Sequence, residues 1–389
     1  MTAQTISSRL PALDATAQQH SAAMIAHLRQ QIQHHGGWIS FADYMHSALY
    51  TPHLGYYSGD ANKFGDSGDF VTAPEISPLF ARALANQVQQ VLSQTGGDVL
   101  ELGAGTGKLA SGVLLQLSEA GQLPGRYYIL DVSASLRERQ QQHLQATLPP
   151  ALFSRVHWLD TLPDTFTGVV LGNEVLDAIA VQLIHWHNGQ WQERGVVYEQ
   201  GFAWQDRPLQ EFSLAAHIDH SQLPDNYLTE ISPAGQGLIT SLTTILQQGL
   251  ILMLDYGFSA REYYHPQRSQ GTLMCHFQHY AHDDPFIYPG LQDITAHVDF
   301  TAMAETALAH GASCAGYTSQ AQFLMNCGIL QLLQTISPED SGRYLPAVAA
   351  VQKLLSPAEM GELFKVLALT KRVELPLLGF LQGDKRHQL

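Results

Sequence analysis

Short apolar runs alternate with longer amphipathic ones between residues 98 and 173. Val99–Leu102, Tyr127–Asp131, 155–159 and Gly168–Asn173 have the length and composition of buried strands, and the stretches between them space their apolar residues as helices do. That rhythm predicts an α/β fold with a doubly wound, parallel sheet. Upstream, Ser21 to Ile32 reads as a helix broken by Gly36-Gly37. Leu79, Phe80, Leu84, Val88 and Val91 mark an amphipathic helix over Ser77 to Ser93. The stretch 50–75, dense in Gly, Pro, Tyr and Asp, reads as a long functional loop. After residue 181 the rhythm breaks. Gln182 to Glu199 predicts a hairpin turning at Asn188-Gly189, and 200–228 continues as an irregular insert. A helix over 235–248 and an apolar strand Leu250–Tyr256 resume the alternation; further strands are expected in 270–317 and mostly helix in 318–370. The expected division is an N-terminal helical region with a lid loop (1–95), a core in two halves (96–180 and 231–330), an inserted substrate-binding subdomain (181–230) and a C-terminal helical region (331–389).

Chemistry concentrates where the first of these strands ends. Val99-Leu-Glu-Leu102 runs into Gly103-Ala-Gly-Thr-Gly107, and a helix starts at Lys108. Three glycines let the backbone turn sharply and come close to a ligand, and a helix start offers unbonded N–H groups. Spacing then selects the ligand. A dinucleotide fingerprint would need glycine where Lys108 stands, and a phosphate loop would need Ser or Thr where Leu109 stands. What remains is acid-x-G-x-G-x-G headed by Glu101, which resembles the S-adenosylmethionine (SAM) loop of class I methyltransferases. SAM has no phosphate and carries an amino acid and a sulfonium cation, so an acidic residue suits it. Glu101, Gly103, Ala104, Gly105 and Gly107 are therefore cofactor candidates. Asp131, at the end of the next strand, can accept hydrogen bonds from both ribose hydroxyls of a nucleoside, or it can cap the following helix. Asp160, after the strand at 155–159, and Asn173 complete the cofactor set.

In open α/β sheets, ligands lie at the carboxyl ends of the strands. Asn173, Glu174 and Asp177 follow the fourth strand, which makes them candidate catalytic residues beside the transferred methyl. Asn173 can hydrogen-bond a substrate nitrogen; Glu174 and Asp177 can hold a cation or take the proton released by transfer. The alternative is ordinary helix-start chemistry, a capping Asn and first-turn acids. Glu75 presents the same choice: a first-turn acid behind Pro74, or a catalytic carboxylate inside a lid formed by Gly68–Ser77. Asp255, in Leu254-Asp-Tyr-Gly-Phe258, puts one more acid at a strand end. His276, His279 and His282 converge neither on one helix face nor on one strand face, so no metal site is expected.

Composition narrows the partners. A net charge of −15 argues against nucleic acid, whose binders cluster Lys and Arg, and suits a basic polypeptide partner. Three widely spaced cysteines suggest neither a disulfide framework nor a cysteine metal site. With no apolar signal core, no Arg-rich leader and no long apolar run, the expected location is the cytoplasm, without membrane insertion. The pattern leaves room for a homodimer.

Four segments stand together: Gly68-Asp-Phe-Val-Thr-Ala-Pro-Glu-Ile-Ser77, Leu100–Gly107, Gly172-Asn-Glu-Val-Leu-Asp177 and Leu254-Asp-Tyr-Gly257. Arg268-x-x-Gly-Thr-Leu273 with His279, Asp284-Pro-Phe286, Pro289-Gly290 and Asp293–Phe300 continue them in order. This set resembles the MidA-like SAM-dependent methyltransferases, whose mitochondrial members support assembly of respiratory complex I. The resemblance implies a class I fold, SAM as cofactor and methyl transfer to an arginine nitrogen of a protein, which could be a respiratory complex subunit. It includes Glu75, Glu174, Asp177, His279 and Asp299. Other readings are a methyltransferase for another protein side chain or a small molecule, or a SAM-binding assembly factor without catalysis.

Overall fold

A computed structural model of the chain describes residues 10–58, 72–209 and 220–389. Contacts group the chain into two units, one from 1–70, 177–237 and 258–299 and the other from 71–176, 238–257 and 300–389.

The second unit holds the expected sheet. Its strands are β1 (Asp98–Leu102), β2 (Tyr127–Leu130), β3 (Val156–Leu159), β4 (Phe166–Asn173), β5 (Leu246–Phe258), β6 (Ser313–Ser319) and β7 (Phe364–Lys371), in the order β6-β7-β5-β4-β1-β2-β3. Neighbours from β3 through β5 run parallel. The chain builds outward from β1 to β3, then returns to β4 on the other side of β1. This switch point opens a crevice at the carboxyl ends of β1 and β4, where ligands of such sheets bind. Helices α1 (Ala73–Ile76), α2 (Pro78–Thr95), α3 (Lys108–Glu119) and α4 (Ala134–Thr147) belong to the same unit. Phe80, Leu84 and Val88 of α2 and Val113 and Leu114 of α3 share a fully buried core with Val99, Val169, Leu252 and Ala368 of the sheet. Burying such side chains contributes about 1.5–3 kcal/mol each.

Three expectations need correction. The 318–370 region is not mostly helical to its end, because β7 inserts antiparallel between β5 and β6. Its first seven residues are buried, and a run buried on both faces shows no alternation to separate strand from helix. The helix expected to reach 248 spans Pro233–Ile245, and Leu246 already belongs to β5. The 200–228 insert is irregular only in part, since Phe202–Pro208 is a strand paired along Gln190–Tyr198.

In the first unit that strand extends the predicted hairpin of Gln182–His187 and Gln190–Tyr198. Asn188 and Gly189 turn it with φ of 50° and 74°, the left-handed pair a two-residue turn requires. Met24, Leu28, Phe41, Tyr44, Leu183, Val196 and Ile294 form its core. A smaller sheet pairs Met274–Phe277 with Tyr280–His282 and Asp293–Thr295. His279 sits in the tight turn of that sheet with φ 68°. No group of three or more His, Cys, Asp or Glu among the described residues is arranged to hold a metal. No helix among them is long and apolar enough to cross a membrane.

Candidate active site

The glycine turn after β1 is left-handed three times over: Gly103, Gly105 and Gly107 have φ of 59°, 52° and 87°. A non-glycine residue is costly at such angles. At Gly105 a Cβ would meet nothing within 4 Å, so the backbone faces open space there. Gly107 opens α3 without a side-chain cap, and first-turn N–H groups are therefore not claimed by a capping side chain.

Asp131 lies just beyond β2 and is 9% exposed. Its Oδ1 accepts from Ser133 N (2.9 Å) and its Oδ2 from Gln140 Nε2 (2.7 Å). Capping of α4 falls to Ser133, whose Oγ accepts from Leu136 N. Burial pushes the Asp131 pKa up, and the bonds from Ser133 and Gln140 oppose that rise. Val132 beside it is 77% exposed, an apolar side chain presented to solvent. Asp160 is at the surface, ion-paired with Arg137 at 2.7 Å. Glu101, by contrast, is 2% exposed and accepts from the Tyr127 hydroxyl at 2.6 Å. Burial raises its pKa to about 7, and the Asp131 charge adds to the rise while the Tyr127 bond opposes it.

Glu75, in the first turn of α1, is tied to this turn: its two carboxylate oxygens take the Thr106 hydroxyl and the Lys108 ammonium. The start of the expected lid, residues 68–71, lies outside the described residues. Glu174 follows β4 with φ 54°, a strained angle for a residue with a side chain. Its Oε1 accepts from Asn173 Nδ2 (3.0 Å) and Ala73 N (3.4 Å), so α1 is anchored on Glu174. Asn173 Oδ1 is buried without a hydrogen-bond partner among the described residues. A buried acceptor of this kind is stabilised when a ligand donor reaches it.

Asp255, the strand-end acid read from the sequence, also bonds the local backbone. Its Oδ2 takes Val175 N and Leu176 N at 3.1 and 2.8 Å, which holds the turn that carries Glu174. Asp177 opens a stretch of the other unit; it is 5% exposed, and its carbonyl accepts from Ala296 N at 3.1 Å. The residue that sequence reading missed is Gln140, fully buried on α4, with bonds to Asp131, Gly105 and Trp158. It sits in a Gln140-Gln-Gln142 run, and only its spacing between Leu136 and Leu144 hints at burial.

An open glycine turn, a carboxylate beside it and an unsatisfied amide oxygen at the next strand end fit a nucleoside carrying an amino acid. Residues 79–318 match the family described as S-adenosyl-L-methionine-dependent methyltransferase. The chain is 48% identical to a Burkholderia thailandensis protein whose crystal structure is bound to S-adenosyl-homocysteine, with a TM-score of 0.94 over 98% of this chain and 100% of that one. It is 30% identical to the Drosophila melanogaster "Protein arginine methyltransferase NDUFAF7 homolog, mitochondrial", over 88% of this chain and 85% of the relative. The Homo sapiens protein arginine methyltransferase NDUFAF7, mitochondrial, is 28% identical over 89% of this chain and 83% of its own length.

Proposed function

The chain belongs to the S-adenosyl-L-methionine-dependent methyltransferases, and on that premise we propose that its methyl acceptor is an arginine side chain of a protein partner.

The observation that carries the proposal is Glu174 at the carboxyl end of β4, with φ 54° and its carboxylate oriented by Asn173 Nδ2 and the first amide of α1. A guanidinium stays protonated in water near pH 7. A carboxylate that orients it, localises its charge and takes a proton late in the reaction answers that difficulty. Bound SAM supplies a methyl group already activated by its sulfonium. The acceptor nitrogen forms a bond to the methyl carbon, the carbon–sulfur bond breaks, S-adenosyl-homocysteine leaves, and the nitrogen's proton passes to Glu174. The chain itself mainly orients an in-line attack and excludes water. Asn173 serves as a hydrogen-bonding neighbour of the acceptor, and Glu75 is the candidate for a second carboxylate of the clamp. The arginine name of the relatives supports the acceptor class, and the acidic charge of the chain suits a basic client segment.

The test is methyl-labelled SAM added with the protein to a lysate lacking it, and separately to isolated respiratory complex subunits, the first clients to examine. Mass spectrometry that finds label on arginine supports the reading. Label on another side chain or on a small molecule overturns it. SAM binding with a captured partner and no label on any species makes the protein an assembly factor instead.

A further inference from the structure

Gln140 is a polar side chain with no exposed surface, on a helix that is otherwise polar outward. Its three hydrogen bonds leave it one orientation. Trp158 Nε1 can only donate, and it does so to Gln140 Oε1 at 2.9 Å. The amide nitrogen must then face the other way, where it donates to Asp131 Oδ2 (2.7 Å) and to the carbonyl of Gly105 (3.1 Å). One amide therefore ties the carboxylate after β2 to the central glycine of the turn after β1. The backbone is packed to match: a Cβ at Gly107 would lie 3.4 Å from Gln140 Cα. On the other side of the carboxylate, Ser133 N holds Oδ1 at 2.9 Å. A carboxylate has about four lone-pair sites; the Ala104 amide also bonds this one, so these partners fix its plane and leave room for a ligand donor.

We infer that Gln140 is a positioning residue for the cofactor: it sets the Asp131 carboxylate against the Gly105 carbonyl in the arrangement that receives the two ribose hydroxyls. Trp158 acts one step further out by fixing which end of the Gln140 amide faces Asp131. Neither residue needs to touch the ligand. The inference rests on the cofactor site and is independent of the methyl acceptor.

The test uses the full chain and two ligands, S-adenosyl-homocysteine and its 2′,3′-dideoxyribose analogue, with affinities read by calorimetry. Gln140→Leu should weaken S-adenosyl-homocysteine about tenfold or more, the effect of losing an aligned hydrogen-bonding partner, and weaken the dideoxy analogue about threefold at most. In the Asp131→Ala background, Gln140→Leu should add almost nothing, since the two act as one unit. Trp158→Phe keeps an aromatic ring and removes the N–H, so it covers the case in which Gln140→Leu does not fold; its loss should be smaller and equally selective for the ribose hydroxyls. Equal losses for both ligands, additive losses with Asp131→Ala, or unchanged affinity in Trp158→Phe would each overturn the assignment. A merely structural role predicts that nonselective pattern.

Discussion

Replacing Glu101 by Gln should make the protein more stable at alkaline pH, the opposite of what removing a charged residue near a ligand usually suggests. Glu101 lies on β1, 2% exposed, with the Tyr127 hydroxyl as its hydrogen-bond donor. Burial raises its pKa from an ordinary 4.5 to about 7. Between those values the folded chain holds a proton that the unfolded chain has released, so stability falls as pH rises through that window and levels off above it. Each pH unit of that interval is worth about 1.4 kcal/mol, so the whole window amounts to about 3 kcal/mol. A glutamine in this position never ionises and escapes the loss, while its amide oxygen can still accept from Tyr127. Urea denaturation of both proteins at about pH 5 and about pH 8.5 isolates the effect, because all other titrations are shared. The stability difference should move in favour of Glu101→Gln by about 2–3 kcal/mol between the two conditions. Parallel pH dependences would refute the raised pKa and the argument from burial. Titration of the same two proteins with S-adenosyl-homocysteine decides the cofactor role separately: unchanged affinity in Glu101→Gln removes this carboxylate from the cofactor contacts.

Other perturbations follow from the site. Gly105→Val should abolish S-adenosyl-homocysteine binding in calorimetry, because it fills the open face of the turn and strains φ 52°; retained affinity means the turn does not hold the ligand. Asp131→Ala should weaken binding by about 1–3 kcal/mol, the range for losing one partner of a buried hydrogen-bonded pair, and a neutral result would leave the carboxylate a structural role only. Glu174→Gln should bind SAM nearly as wild type but turn over about 10²–10⁴-fold more slowly; a change of a few-fold or less in single-turnover rate makes Glu174 a turn residue. Arginine-to-lysine replacement in the client should end methylation, since lysine cannot present a planar fork to a carboxylate, and equal labelling of both clients counts against the clamp.

How far the chain could be read depended on whether a feature was local. The βα rhythm, the hairpin at Asn188-Gly189 and the glycine spacing of the cofactor turn are local. Each follows from side-chain periodicity or from backbone angles that few residues tolerate, and the strands and turns appear where those signals stand. The class of ligand was legible for the same reason, as Lys108 and Leu109 exclude the other glycine turns. Non-local pairing was not legible. Nothing in Phe364–Lys371 says that it slides between β5 and β6, because a strand buried on both faces has lost its alternation. Phe202 and Trp204 did alternate, but a lone seven-residue run earns strand status only when Gln190–Tyr198 is there to pair with it. Polar side chains show the same divide. The sequence marks Asp131 by its place after a strand, whereas Gln140 is one glutamine among three until Trp158, Gly105 and Asp131 converge on it. Asp255 reads from the sequence as a strand-end acid, and only the fold shows that its Oδ2 holds the amides of Val175 and Leu176. Periodicity and glycine spacing determined the fold class and cofactor; tertiary contacts decided which buried polar groups face each other, because a hydrogen bond depends on position in space and not on distance along the chain.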